Sequence, residues 1–335
     1  MNSLRLALEE YEKGILRGDR MVLAKAITLA ESTLPDDQRR AGEILDAILP
    51  HTGKSLRIGI TGAPGVGKST FIESFGKTLL ESGHKVAVLT IDPSSQLTKG
   101  SILGDKTRMQ ELARDVGAFI RPSPSGSTLG GVATHTRETI LLCEAAGFDR
   151  IIVETVGAGQ SEIAIKNMVD FFLLLMQPGA GDELQGIKKG IVEMADAIAI
   201  TKADGENLKA ASIAQADFQH ALHLQQPQVS GWQPKVLTCS AWDKTSLREI
   251  NGMIETFHEQ FTASGYIQTN RQLQHSVWFQ DHFNHLLSID PEQFSSVAEA
   301  KMKLKELVQA NKISPRNAAH ELIDAYRAAV KSSGS

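Results

Sequence analysis

The sequence predicts an α/β protein with a mostly parallel central sheet flanked by helices, extended by a helical N-terminal arm and further C-terminal helices. Three observations carry that prediction. Short, near-continuous apolar runs rich in β-branched residues recur through the middle of the chain. Longer helical patterns separate them. The first run ends in GAPGVGKST, a glycine-rich turn that opens a helix. Strands apolar on both faces and alternating with helices belong to a parallel sheet that is covered on both sides.

The elements follow in order. Residues 3–50 carry helical periodicity with helix-starting punctuation, as in LPDDQRRAGEILDAILP, and form the predicted arm. The predicted strands are LRIGITG (56–62), KVAVLTID (85–92), DRIIVETVG (149–157), DFFLLLMQ (170–177), ADAIAITKAD (195–204) and PKVLTCSA (234–241). From about residue 246 the strands stop. SLREINGMIETFHEQFTASG, the stretch 270–288 and PEQFSSVAEAKMKLKELVQANK all suggest helices. ISPRNAAHELIDAYRAAV adds one more, with Ser314 as cap and Pro315 at the first helical position. No internal repeat is visible, and KSSGS is expected to fray.

Composition narrows the function classes. A net charge of −4 over 335 residues gives no basic field for nucleic acid or an anionic membrane. Cys143 and Cys239 lie far apart in apolar or strand-like contexts, so a disulfide framework is not expected and a reducing compartment is. MNSLRLALEEYEKG lacks a secretory signal's charged start and apolar core and is too acidic for a transit peptide. No apolar run approaches the roughly 20 residues that span a bilayer. The expectation is a soluble, cytoplasmic protein with neither nucleic-acid nor membrane partners.

GITGAPGVGKST is a full P-loop pattern: Gly62, the four residues Ala63, Pro64, Gly65 and Val66, then Gly67, Lys68 and Ser69, with Thr70 following. Its glycines let backbone N–H groups curl around a phosphate, and the helix N-terminus adds a favourable field. Lys68 supplies a mobile cation, and the Ser69 hydroxyl can ligate magnesium. ITKAD then places Thr201, Lys202 and Asp204 in the spacing of a guanine-recognition motif. A carboxylate at Asp204 accepts from guanine N1–H and the exocyclic amine, and adenine has no donor at N1. A buried carboxylate there would go unpaired against adenine, which favours GTP over ATP. Lys202 is expected to lay its stem along the base, and threonine for the usual asparagine weakens or removes one base contact. CSAW brings backbone N–H groups of Ser240, Ala241 and Trp242 toward the guanine carbonyl. Standing next to a strand, Trp232 and Trp242 are expected to be partial core rather than a stacking platform.

Between these lie candidate γ-phosphate sensors. Glu154 and Gly157 stand in a DxxG-like element, the acid for direct or water-mediated contact with magnesium and the Gly157 N–H for phosphate. Asp92 and Asp105 sit in DPSSQLTKGSILGDKTRM, with bases close behind, as a first switch and further magnesium ligands. Ala158 occupies the place where a glutamine would orient the attacking water, with Gln160 the nearest candidate. Slow intrinsic hydrolysis, stimulated by a partner or a second subunit, follows.

Taken in order, GAPGVGKST, IDPSS, GSILGDKTRM, RPSPSGSTLGG, ETVGAGQSE, GDELQGIKKGI and TKAD closely resemble the MeaB/ArgK family of P-loop GTPases. The resemblance spans nearly the whole chain and is clearest at 56–242. It implies a homodimeric G protein, using GTP/GDP and Mg2+, that chaperones a B12-dependent acyl-CoA mutase, typically methylmalonyl-CoA mutase. Such proteins gate adenosylcobalamin loading and protect or rescue the mutase. The family pattern carries onto Lys68, Ser69, Asp92, Asp105 and Glu154. It also carries onto QPGAGDELQGIKKG (177–190), in this family a third switch that responds to nucleotide and contacts the mutase. Read from the residues themselves, Lys188 and Lys189 of that loop could reach phosphate or the partner's acids. The implied division is an arm (1–50), a GTPase domain (51–260) and a C-terminal helical dimerisation element (261–335).

Two other readings share the P-loop. A metallochaperone would need a metal-gathering cluster, for which the pairs His220/His223 and His282/His285 offer only i, i+3 spacing. A kinase linked to basic amino-acid transport needs an acceptor pocket with a base near the γ-phosphate, where Glu154 or Asp92 could serve.

Overall fold

The structure is a computed structural model that describes residues 6–91, 109–123, 129–155, 161–179, 189–223, 230–310 and 312–333. Two compact units divide the chain, 1–275 and 276–335.

Among the described residues the first unit is built on seven strands: β1 (Leu56–Gly62), β2 (Val86–Ile91), β3 (Ala118–Ser123), β4 (Arg150–Thr155), β5 (Phe171–Met176), β6 (Ala197–Ile200) and β7 (Lys235–Thr238). Their order is β3-β2-β4-β1-β5-β6-β7, and every neighbouring pair is parallel. The apolar runs alternate with period two between opposite faces. Phe171, Leu173 and Leu175 of β5 join one core with Phe71, Phe75 and Leu79 of the helix Lys68–Glu81 and Phe257 of the helix Lys244–Ala263. Phe172 enters a second core, while Leu174 and Met176 enter a third with Phe218 of the helix Leu208–His223. The strand is buried along its whole length. This is the three-layer architecture that unbroken apolar runs require.

The sequence pattern missed β3. Its AFIRPS carries Arg121 and Pro122, and proline cannot donate to a ladder, so the segment lacks the strand signature. It succeeds as an edge strand, paired among the described residues through β2 alone.

The N-terminal region folds as helices Leu8–Leu16, Arg20–Ala30 and Pro35–Ile48. Asp19 caps the second through the Met21 and Val22 N–H groups, and Pro35 opens the third. Tyr11, Ile15, Leu23, Ile27, Ile44 and Ile48 bury into the second core, with Ile140 and Leu142 of the helix Leu129–Ala145 and residues of β2 and β4. The Arg121 guanidinium pairs with Glu31 at the end of the second helix, which fastens this layer to β3.

At the N-terminal ends of the strands lies a buried ionic network. Arg57 binds both oxygens of Glu144 at 2.9 Å. Arg271 binds both oxygens of Asp170, and donates to the Gly53 and Ser55 carbonyls as well. Burial alone would push the Glu144 carboxyl up, but Arg57, Ser55 and Arg271 together hold it below the usual carboxylate range.

In the second unit, helices Ser295–Gln309 and Pro315–Ser333 pack together, with Phe294 edge-on to Tyr326 at 5.8 Å. Ser314 accepts from the Asn317 N–H at 3.2 Å, the expected cap. Phe279 and Phe283 stack 6.3 Å apart and stay exposed, along with Leu286 and Leu287. Among the described residues, no helix is long and apolar enough to cross a membrane. Cys143 and Cys239 are free, buried thiols, and burial pushes Cys239 up to about 12.

Candidate nucleotide-binding site

β1 sits in the middle of the sheet, so the turn at its end opens over the carboxyl edge of the strands, where ligands of such folds bind. Gly62 ends β1 and Gly67 caps the following helix in a left-handed conformation, φ 96°. A Cβ on Gly62 would stand 2.5 Å from the Leu175 carbonyl oxygen, a clash with backbone that nothing nearby can relieve. The Ala63 carbonyl closes the loop by accepting from the Val66 N–H at 3.3 Å. Pro64, Gly65 and Thr70 lie on the exposed side, while Val66 is buried.

Lys68 folds back across this turn. Its Nζ donates to the carbonyls of Gly62 at 2.7 Å and Ala63 at 3.2 Å. Burial lowers its pKa, and the nearby charges of Glu154 and Glu162 oppose that shift. The ammonium therefore sits among acceptors in the position from which a phosphate would draw it. Glu162, buried at the start of the helix Ser161–Lys166, was not singled out from the sequence. Its one signal was position, eight residues beyond Glu154 in ETVGAGQSE.

Glu154 lies on β4, beside β1 in the sheet, and is buried. The Ser69 hydroxyl faces its Oε1 at 3.4 Å. A hydroxyl and a carboxylate brought together from the P-loop helix and β4 form a hard oxygen pair. That pair fits magnesium, which takes one or two protein oxygens and completes its shell with water and phosphate. Asp92, Asp105, Gly157 and Lys188, together with Ala158 and Gln160, lie outside the described residues.

The strands that lead into TKAD and CSAW meet the loop from the other side. Thr201 is buried at the end of β6, and its hydroxyl lies 2.8 Å from the Val66 carbonyl and 3.1 Å from that of Met176. Threonine at this position therefore braces the P-loop against β5. Lys202 adopts φ 55°, a left-handed conformation that costs a β-carbon residue about 1 kcal/mol or more. Its Nζ crosses to the Gly65 carbonyl at 2.8 Å and the Gln177 side chain at 3.2 Å. The first residue of the 177–190 segment is thus tied to both the P-loop and the TKAD turn. The Ala203 N–H donates to the Cys239 carbonyl, which aligns TKAD with CSAW.

Asp204 accepts a hydrogen bond from the Ser240 hydroxyl, and that hydroxyl accepts from the Trp242 N–H at 3.2 Å. Two expectations need correction here. Asp204 is exposed rather than buried, because it projects beyond the strand ends and only Ser240 beneath it is covered. Trp232 is core, with its indole N–H on the Asp196 carbonyl at 2.8 Å, but Trp242 is 82% exposed. Trp242 lies past the end of β7, next to the Asp243 cap of a helix, where among the described residues no layer covers it.

His220 and His223 do share the helix Leu208–His223. Among the described residues, no group of three or more histidine, cysteine, aspartate or glutamate side chains could hold a metal.

The chain is similar to known proteins over most of its length. A family model described as methylmalonyl-CoA mutase-associated GTPase MeaB matches residues 23–291. The GTPase ArgK of Escherichia coli is 47% identical over 320 residues, 94% of this chain and 95% of its own length. The mitochondrial methylmalonic aciduria type A homolog of Mus musculus is 44% identical over 324 residues, 94% of this chain and 78% of its own. The crystal structure titled LAO/AO transport system kinase superposes with a TM-score of 0.75 at 40% identity, covering 96% of this chain and 99% of the other.

Proposed function

The chain belongs to the MeaB family of methylmalonyl-CoA mutase-associated GTPases, and from that premise we propose that it is a GTP-hydrolysing G-protein chaperone of a B12-dependent acyl-CoA mutase. In this role it gates adenosylcobalamin loading and protects or reactivates methylmalonyl-CoA mutase, as a homodimer in the cytoplasm. The observation that carries the guanine assignment is the register of three elements at one sheet edge: P-loop, TKAD and CSAW, joined through Thr201, Lys202 and Ser240.

Within this reading the P-loop N–H groups hold the phosphates, and Lys68 leaves the Gly62 and Ala63 carbonyls to neutralise them. Ser69 and Glu154 are the residues that would hold magnesium, which when bound offsets charge on the β- and γ-phosphate oxygens. Asp92, Asp105 and Gly157 complete the switch contacts. Asp204 reads the guanine N1–H and amine. The contact of Lys202 with Gln177 supports a third switch at 177–190, because it places that segment's first residue on the nucleotide loop. Intrinsic hydrolysis is slow and the mutase stimulates it.

The test is phosphate release from GTP and from ATP, with and without a purified B12-dependent acyl-CoA mutase. GTP turnover should rise severalfold with the mutase, ATP turnover should stay near background, and Lys68→Ala should abolish both basal and stimulated GTP turnover. Transfer of the γ-phosphate to arginine or to a protein acceptor would favour the kinase reading and sink this one.

A further inference from the structure

An indole 82% exposed is unusual enough to ask what covers it. Trp242 is held at its backbone, since its N–H donates to the same Ser240 hydroxyl that donates to Asp204. Asp204 and Trp242 each lie four residues past a paired strand end, Ile200 in β6 and Thr238 in β7. Asp204 and Trp242 therefore follow neighbouring parallel strands, and the carboxylate of one and the backbone N–H of the other share the Ser240 hydroxyl.

Thr201 sharpens the need for a second contact with the base. Its single hydroxyl proton is divided between the Val66 and Met176 carbonyls, so this side chain has no donor left for a purine. Polar recognition falls to Asp204 and backbone groups. Among the described residues at these strand ends, the stem of Lys202, whose ammonium is engaged with Gly65 and Gln177, is the other group expected to cover a purine face.

We infer that the Trp242 indole stacks on the purine of the bound nucleotide and closes the base site on the side that Lys202 does not cover. The inference rests on the guanine-site reading given above. Stacking uses the π-face that every purine has, so Trp242 contributes affinity and leaves discrimination to Asp204.

The experiment uses the full chain, with GDP and ADP titrated by calorimetry and by tryptophan fluorescence. GDP should quench the emission of the wild-type protein, and Trp242→Phe should lose most of that quench while keeping GDP affinity within about threefold. Trp242→Ala should weaken GDP about tenfold and ADP by the same factor, leaving their ratio and the urea midpoint unchanged. Wild-type GDP affinity in Trp242→Ala overturns the inference. So does an equal loss in Trp242→Phe, because a phenyl ring still stacks. Asp204→Asn separates the two levels: it should lower the GDP-to-ADP ratio, and an undiminished ratio would refute the guanine site itself, whatever Trp242 does.

Discussion

At Thr201 one hydroxyl proton faces two carbonyls, one in the P-loop and one at the end of β5. An asparagine would bring two amide donors and a carbonyl to the same position, whereas threonine brings a brace. Thr201→Val keeps the shape and removes the hydroxyl, leaving the buried Val66 carbonyl without this partner. A lost hydrogen bond of this kind is worth about 1 kcal/mol, so GDP affinity should fall about fivefold to tenfold. Thr201→Ser should restore it. Equal GDP affinity in Thr201→Val by calorimetry would show that the brace does not reach the nucleotide. Lys68 makes the complementary point: burial lowers its pKa among acceptors supplied by its own loop, and charge on a phosphate reverses that balance.

β1 has one end at a buried ionic network and the other at the candidate site. β1 begins beside the Arg57–Glu144 and Arg271–Asp170 pairs and finishes in the P-loop, seven residues or roughly 20 Å away. The structural end depends on paired buried charge. Arg271→Ala leaves the Asp170 carboxylate buried with its guanidinium gone, which should cost about 3–5 kcal/mol. A drop in the urea midpoint, partly recovered by adding Asp170→Asn, is the expected result, and an unchanged midpoint would contradict the network's role. The functional end depends instead on contacts between elements. Lys202 on the β6 exit touches both the β1 loop and the β5 exit, so a nucleotide that moves Lys202 also acts on the start of the 177–190 segment.

At the scale of the molecule, the second unit carries more exposed apolar surface than its two packed helices need. Phe279, Phe283, Leu286 and Leu287 recur at helical spacing within Tyr266–Ile289, with Phe279 72% exposed. In the proposed homodimer this stripe meets its copy. Phe279→Glu with Phe283→Glu should convert a dimer to a monomer in analytical ultracentrifugation, with GDP affinity retained. A dimer that persists would place the interface elsewhere.

The order of elements, the parallel sheet, the P-loop and the TKAD spacing were legible in the chain because each rests on local chemistry. Period-two apolar runs, glycines at sharp turns and a capped helix start are properties of a few adjacent residues. β3 was not legible, since AFIRPS becomes a strand only through β2 beside it. The bracing role of Thr201, the approach of Glu162 to Lys68, and the opposite fates of Trp232 and Trp242 were hidden for the same reason. The amino-acid order by itself determined which residues are candidates for holding a phosphate and a guanine. Tertiary structure alone decided which of them meet, because their partners lie up to 137 positions away, as Gly65 does from Lys202, and no local pattern encodes what the folded sheet brings within hydrogen-bonding distance.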